Sequence, residues 1–167
     1  MSQAPVSRRA PFRWVLVLAG LVALLSSCGT IAFDRDWDAW EEPASEDPMV
    51  GRWEGDWEST ENGHAGGLRC MLTPEEEGSY LVRFCATYGW FFTYTYDGRF
   101  YVSDRTGERV TFRGEEDLGA MFGGVYTYDG FVEGDRFEST YEAESGDRGV
   151  FRLERVEPAP ASDSEDG

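Results

Sequence analysis

Few side chains here are able to do chemistry, and they are scattered. The one histidine, His64, stands in Asn62-Gly63-His64-Ala65-Gly66, which carries the Asn-Gly mark of a tight turn. Zinc normally takes several His or Cys ligands together, and His64 has no second ligand at metal spacing. It reads as a loop residue bonded within its own turn. Asp34-x-Asp36-x-Asp38 imitates the start of a calcium loop, but Ala39 replaces the sharp-turn glycine and Ser45 the closing glutamate. Glu115, Glu116 and Asp117 are carboxylates suited to acid–base work. No nucleophile–base pair accompanies them, so they read as solvated loop charge. The chain is therefore expected to be no enzyme, with no catalytic residue, cofactor or metal.

Binding chemistry is better supplied. Aromatic residues make up 15% of the chain. Trp90, Phe92 and Tyr94 in one segment and Phe122, Tyr126 and Tyr128 in another could line an apolar cavity. They could equally fill one, since small barrels do either. Cys70 and Cys85 fall on consecutive predicted strands, which supports a disulfide. Their parities oppose it: Cys70 alternates with Leu68 and Leu72, Cys85 lies opposite Val82 and Phe84. A bulge near Ala86 would bring the two onto one face, so both outcomes stay open.

The element that must position these residues is Val50-Gly51-Arg52-Trp53-Glu54-Gly55-Asp56-Trp57-Glu58. Trp53, Gly55 and Trp57 share one parity and the charged residues share the other. Side chains alternate faces along a strand, so this segment has an aromatic face and a charged face. Gly55 leaves room for another chain to approach between the indoles. Further alternating segments follow around residues 68–72, 80–85, 90–96, 99–103, 109–113, 125–132, 135–143 and 149–155. Turn signals separate them, Asp97-Gly98 among these, with one longer connection over 114–124. No convincing helical period appears after the tether; within it Phe33, Trp37 and Trp40 sit at helical spacing and could dock as one short helix, with a loose tether as the expectation. About eight or nine short strands with local hairpin connections predict an all-β, antiparallel up-and-down barrel, which leaves no exposed edges.

The N-terminus has a basic start, the apolar run Trp14–Leu25 and small residues after it, the pattern of a secretory signal. Leu25-Ser26-Ser27-Cys28 resembles the bacterial lipobox, which implies acylation of Cys28 and anchoring to a membrane by buried methylenes. Gly29 is not the aspartate that retains lipoproteins at the inner membrane of enteric bacteria, so an extracytoplasmic, outer-membrane location is expected. The organisation is then a signal peptide over 1–27, an acidic tether over 28–48, a barrel over 49–156 and a disordered acidic tail over 157–167. All fifteen basic residues are arginine and the formal net charge is −17. Such a surface repels phosphate backbones, so nucleic acid is excluded as a partner.

Gly51-x-Trp53-x-Gly55, followed by a meander of hairpins, resembles the calycin group of lipocalins and their relatives. Together with Asp117-Leu118-Gly119, Gly123-Gly124-x-Tyr126 and Gly149-x-Phe151-x-Leu153-x-Arg155, it is similar to a poorly characterised group of bacterial lipocalin-like envelope proteins. The resemblance implies that Gly51, Trp53, Gly55, Trp57 and Arg155 close one barrel end, with the guanidinium over an indole, Trp53 or Trp57. The third lipocalin motif and the long helix before the final strand are missing. Haem-binding relatives place a histidine late in the chain, where this one has none. Two readings remain: a membrane-anchored barrel that holds a small apolar ligand, or a side-chain-filled barrel that contacts another envelope protein.

Overall fold

Alternation of small or apolar residues with charged ones produces eight antiparallel strands in the computed structural model. They are β1 (Gly51–Ser59), β2 (Ala65–Pro74), β3 (Ser79–Tyr88), β4 (Phe92–Thr106), β5 (Arg109–Asp117), β6 (Val125–Glu133), β7 (Arg136–Ala143) and β8 (Arg148–Arg155). Each pairs with the next in sequence, and β8 pairs with β1 to close the barrel. The structure describes residues 29–41, 46–76, 78–89 and 92–157. The expected signal peptide, Cys28, Trp90 and residues 158–167 of the expected tail lie outside them.

The seam between β1 and β8 depends on glycine. A Cβ on Gly55 would lie 2.1 Å from the Arg152 carbonyl oxygen, and one on Gly149 would lie 2.1 Å from that of Glu58. No side chain fits either place without moving backbone.

Two expectations need correction. Asp97-Gly98 is no turn: β4 runs through it as a single strand of 15 residues, with Gly98 opposite Val82. Gly98 has no positive φ. Its value is the space it leaves on the inner face, where a Cβ would meet Val82 at 3.5 Å. Nine candidate strands thus become eight.

The second correction concerns the tether. Residues 29–38 are helical and lie against the barrel wall. Phe33 and Trp37 are buried there with the outward-facing Met71 and Cys85. Asp34 pairs with Arg69 at 2.7 Å and Asp36 with Arg83 at 2.6 Å. The Arg69 guanidinium lies 5.2 Å from the ring centroids of both Phe33 and Trp37. The aspartates that make the segment look like a solvated tether are matched to arginines on the wall. The described helix is not long and apolar enough to cross a membrane.

Candidate functional site

The inward rows of the eight strands give the lumen two unlike ends. At one, Trp53, Phe100, Phe112, Phe137, Leu72, Val82, Val110 and Val132 are at most 1% exposed. Phe100 and Phe112 stack with centroids 4.4 Å apart, and Trp53 meets Phe137 at 5.8 Å. Met49 and Val50 cap this end, also buried. The Trp53 indole donates to the Met49 carbonyl at 3.3 Å. Arg155 lies over Trp53, its guanidinium carbon 4.2 Å from the ring centroid. It also donates to the carbonyls of Val50 at 2.7 Å and Pro48 at 2.6 Å, and pairs with Asp135. Its charge is therefore met by oxygen on one side and a ring face on the other. Around it, Tyr80 donates to Asp47 at 2.5 Å and Arg105 donates to the Tyr80 hydroxyl at 2.7 Å.

At the other end the lumen opens into a cup of about 350 Å³. Its wall is mostly aromatic, with Trp57, Tyr88, Phe92, Tyr94, Tyr96, Phe122, Tyr126, Tyr141 and Phe151 beside Leu68, Ala86, Leu118 and Asp147. Trp57 packs on Tyr88 at 4.6 Å and is pinned by a hydrogen bond from its indole to the Thr87 carbonyl at 3.1 Å. Tyr94 stacks on Phe122 at 4.5 Å. Phe122 comes from a single 3₁₀ turn, Ala120–Phe122, closed by Gly123 and Gly124 at positive φ, 104° and 81°. A left-handed backbone there folds the β5–β6 connection back over the mouth.

The cup has one rim carboxylate. Asp147 accepts from Ser59 at 2.5 Å, from the Asn62 amide at 3.4 Å and from the Tyr141 hydroxyl at 3.4 Å. These bonds tie the β1–β2 and β7–β8 loops together beside the opening. Burial pushes the Tyr88 phenol up to about 12, aided by the charges of Tyr126 and Asp147. Burial, then Asp147, raises Tyr141, and burial raises Tyr94, Tyr96 and Tyr126. The cup is thus walled by neutral phenols over the ordinary pH range.

The structure brings Phe92, Tyr94, Phe122 and Tyr126 to the cup wall. Trp90, expected beside them, lies outside the described residues. Tyr128 is not a wall residue. It is 2% exposed, packed between Phe84 and Phe151, and belongs to the floor beneath. Gly51, Trp53 and Arg155 meet at the closed end, whereas Trp57 sits at the cup and does not share Arg155. Of the two outcomes left open for Cys70 and Cys85, the structure has the unbridged one: both thiols are free. Cys70 faces the lumen and Cys85 faces the helix on the outer wall. Burial pushes both thiols above their usual range. The His64 backbone N–H bonds the Asn62 side chain at 2.9 Å, as a turn residue. Among the described residues no three His, Cys, Asp or Glu side chains converge as a metal site.

Sequence reasoning missed Asp147, Tyr96 and Tyr141 as cup residues, and Glu116. A usable signal was present for Glu116, which shares the inward parity of Val110, Phe112 and Gly114. For Asp147 there was none, because it precedes β8 in an ordinary polar turn.

No family model matches this chain and no curated protein does. Solved structures similar to it include a redesigned β-barrel, mFAP1, bound to DFHBI, at 15% identity and a TM-score of 0.49, covering 65% of this chain and 95% of that one. Another is a de novo designed fluorescence-activating β-barrel at 18% identity and a TM-score of 0.45, covering 67% of this chain and all of that one. The chain's architecture is a closed, eight-stranded, up-and-down antiparallel β-barrel.

Proposed function

We propose that this protein is a lipocalin-like binding protein of the cell envelope, held on a membrane by acyl chains on Cys28. It takes a small, largely apolar molecule into the cup between Trp57, Tyr94 and Tyr126. The observation that carries the reading is the cup: an aromatic-walled space of about 350 Å³ above a solid floor. That size suits a small organic ligand. The order of short motifs from Gly51 to Arg155 supports the kinship, and Leu25-Ser26-Ser27-Cys28 supports the anchor. Binding rather than catalysis is the better reading, because the described wall consists of rings and phenols with one carboxylate, Asp147, and the Ser59 hydroxyl bonded to it is buried and does not line the cup.

Native mass spectrometry of the protein purified from envelopes tests this. The expected spectrum contains an adduct of small-molecule mass that disappears in Ala86→Phe, which fills the cup. A bare protein mass that takes up no apolar probe on titration would overturn it. For the anchor, a clickable fatty acid should label the wild type and leave Cys28→Ser unlabelled; equal labelling would exclude acylation there.

A second reading, contact with another envelope protein, draws on the rim. Met121 is 90% exposed, and Tyr88, Phe92 and Phe122 are 38–42% exposed, together at the mouth. Cross-linking from a photoreactive group at position 121 would separate the two, giving a specific protein adduct only under the second.

A further inference from the structure

Resting on the reading of the cup as a ligand site, we propose that its occupant is an organic cation, an ammonium group carried on an apolar body. The wall is made mainly of aromatic rings, whose π-faces attract positive charge within about 6 Å. Among the described residues, the one ionisable group in that wall other than the phenols is Asp147, and no arginine or histidine lines it.

Asp147 is held in place without being neutralised. Its partners are a hydroxyl from Ser59, an amide from Asn62 and a phenol from Tyr141. The neighbouring Arg148 is engaged elsewhere, with Glu61 at 2.8 Å. No described arginine pairs with Asp147. A carboxylate oriented by neutral donors at the lip of an aromatic cup retains its full attraction for an incoming cation.

Glu116 adds a second negative group. It lies on the inward row of β5 with its Cα partner Tyr126, and is half-buried. Its Oε2 lies 4.0 Å from where a Cβ on Gly98 would stand, so the side chain leans over the gap that glycine leaves. Its carboxylate makes no hydrogen bond or ion pair with any described residue, and its charge reaches Tyr128 in the floor. No described arginine forms an ion pair with Glu116: Arg99, near enough to feel its charge, is paired with Glu75 at 2.8 Å, and Arg113 and Arg109 meet Asp129 and Glu133 on the outer face. A net charge of −17 concentrates cations near the surface as well. An anion would meet two carboxylates, Asp147 and Glu116, that no described arginine pairs with; a neutral molecule would use the rings and leave the carboxylates idle.

Equilibrium dialysis of the full chain against three probes of nearly equal size decides this. Benzyltrimethylammonium carries the charge, neopentylbenzene is its neutral carbon isostere, and 4-tert-butylbenzoate is an anion. The ammonium should bind at least about tenfold more tightly than neopentylbenzene, a difference of about 1.4 kcal/mol. The benzoate should bind most weakly, and the ammonium's advantage should shrink as salt is raised. Asp147→Asn and Glu116→Gln should each lower that advantage severalfold. Asp147→Asn disturbs loop contacts, so Glu116→Gln, whose carboxylate bonds nothing described, is the variant that decides if the other fails to fold. Neopentylbenzene or the benzoate binding as tightly as the ammonium would overturn the cation assignment and leave the cup reading standing. Uptake of none of the three would bring down both.

Discussion

The two ends of the barrel are built from the same eight strands by the same alternation, yet one is solid and the other hollow. One difference is the share of tyrosine among the aromatic residues. The closed end is filled by Phe100, Phe112 and Phe137 around Trp53. The open end is walled by Tyr88, Tyr94, Tyr96, Tyr126 and Tyr141. A phenylalanine ring can be sealed in on all sides, while a phenol needs its hydroxyl near a partner or water. Tyrosines join the phenylalanines along the barrel axis, beside Phe92, Phe122 and Phe151, and the lumen turns from core into cup along the same line. The caps follow suit. Met49 and Val50 plug the solid end, whereas the β1–β2 and β7–β8 loops of the open end are stitched sideways through Asp147 beside the mouth.

Breaking that contrast is simplest at its two tryptophans. Trp53→Ala should cost about 3–5 kcal/mol, because the site is enclosed and cannot collapse. Trp57→Ala removes the same side chain beside a space that is already empty, so it should cost at least ~1 kcal/mol less. Urea denaturation of both variants measures this; equal losses would mean that the two ends are packed alike. Gly55→Ala comes next, at about 1–3 kcal/mol, since its methyl would press on the Arg152 carbonyl in the seam. An unchanged denaturation midpoint would show that the seam can open without cost.

The residues explain which parts of this molecule were legible beforehand. Strand parity was readable because charge and apolarity alternate cleanly in Arg52–Glu58 and Arg148–Arg155, and pairing first to last strand brings Trp53 to Arg155. The helix over 29–38 was half-legible: Phe33, Trp37 and Trp40 stand at helical spacing, but the charge around them looks like that of a solvated segment. The counter-signal was on the wall: Met71 and Cys85 are apolar residues on an otherwise charged outer face, and something had to cover them. Asp97-Gly98 misled because a turn dipeptide can also supply a missing side chain inside a strand. The cup was half-readable, since parity tells which rings point inward and not how deep each one sits. Tyr96 and Tyr128 share that inward property and differ in depth.

A smaller effect sharpens the contrast through pH. The cup phenols keep their protons above the ordinary tyrosine value of 10.0, Tyr88 to about 12. As pH rises above 10 the unfolded chain loses phenolic protons that the folded chain retains, so the unfolded state gains. The contribution of the phenols should therefore be flat below pH 10 and fall between pH 10 and 12, on top of a decline that the buried thiols begin above their ordinary value of 9.0. The urea midpoint at pH 8, 10 and 11 checks the sign, and Tyr88→Phe should flatten the decline. A midpoint that holds constant to pH 11 would mean the cup phenols are solvated. The closed end offers its own test. A double-mutant cycle of Trp53→Phe with Arg155→Met should give a coupling of about 0.5–2 kcal/mol, apart from the larger loss of the carbonyl bonds of Arg155. Additivity would mean that the ring contributes nothing to holding the charge.

The smallest expected effect lies at the boundary between the halves. Tyr128 is the deepest tyrosine of its row, 2% exposed, with its ring 5.8 Å from Phe100 below and 6.4 Å from Tyr126 above. Its hydroxyl is buried beside the Tyr96 phenol without a hydrogen bond of good geometry. Burial holds that phenol well above its usual range. A buried donor without a good partner has lost its water and gained little, so removing it should cost almost nothing. Tyr128→Phe should unfold within ~0.5 kcal/mol of the wild type, on either side. The same change at Tyr141, whose hydroxyl reaches Asp147 at 3.4 Å, should cost about 0.5–1.5 kcal/mol, as expected for a bond that is made. If Tyr128→Phe proves the costlier of the two, the Tyr96–Tyr128 pair is a bonded floor rather than the first layer of the filled core. The division between core and cup would then fall one residue deeper along β6.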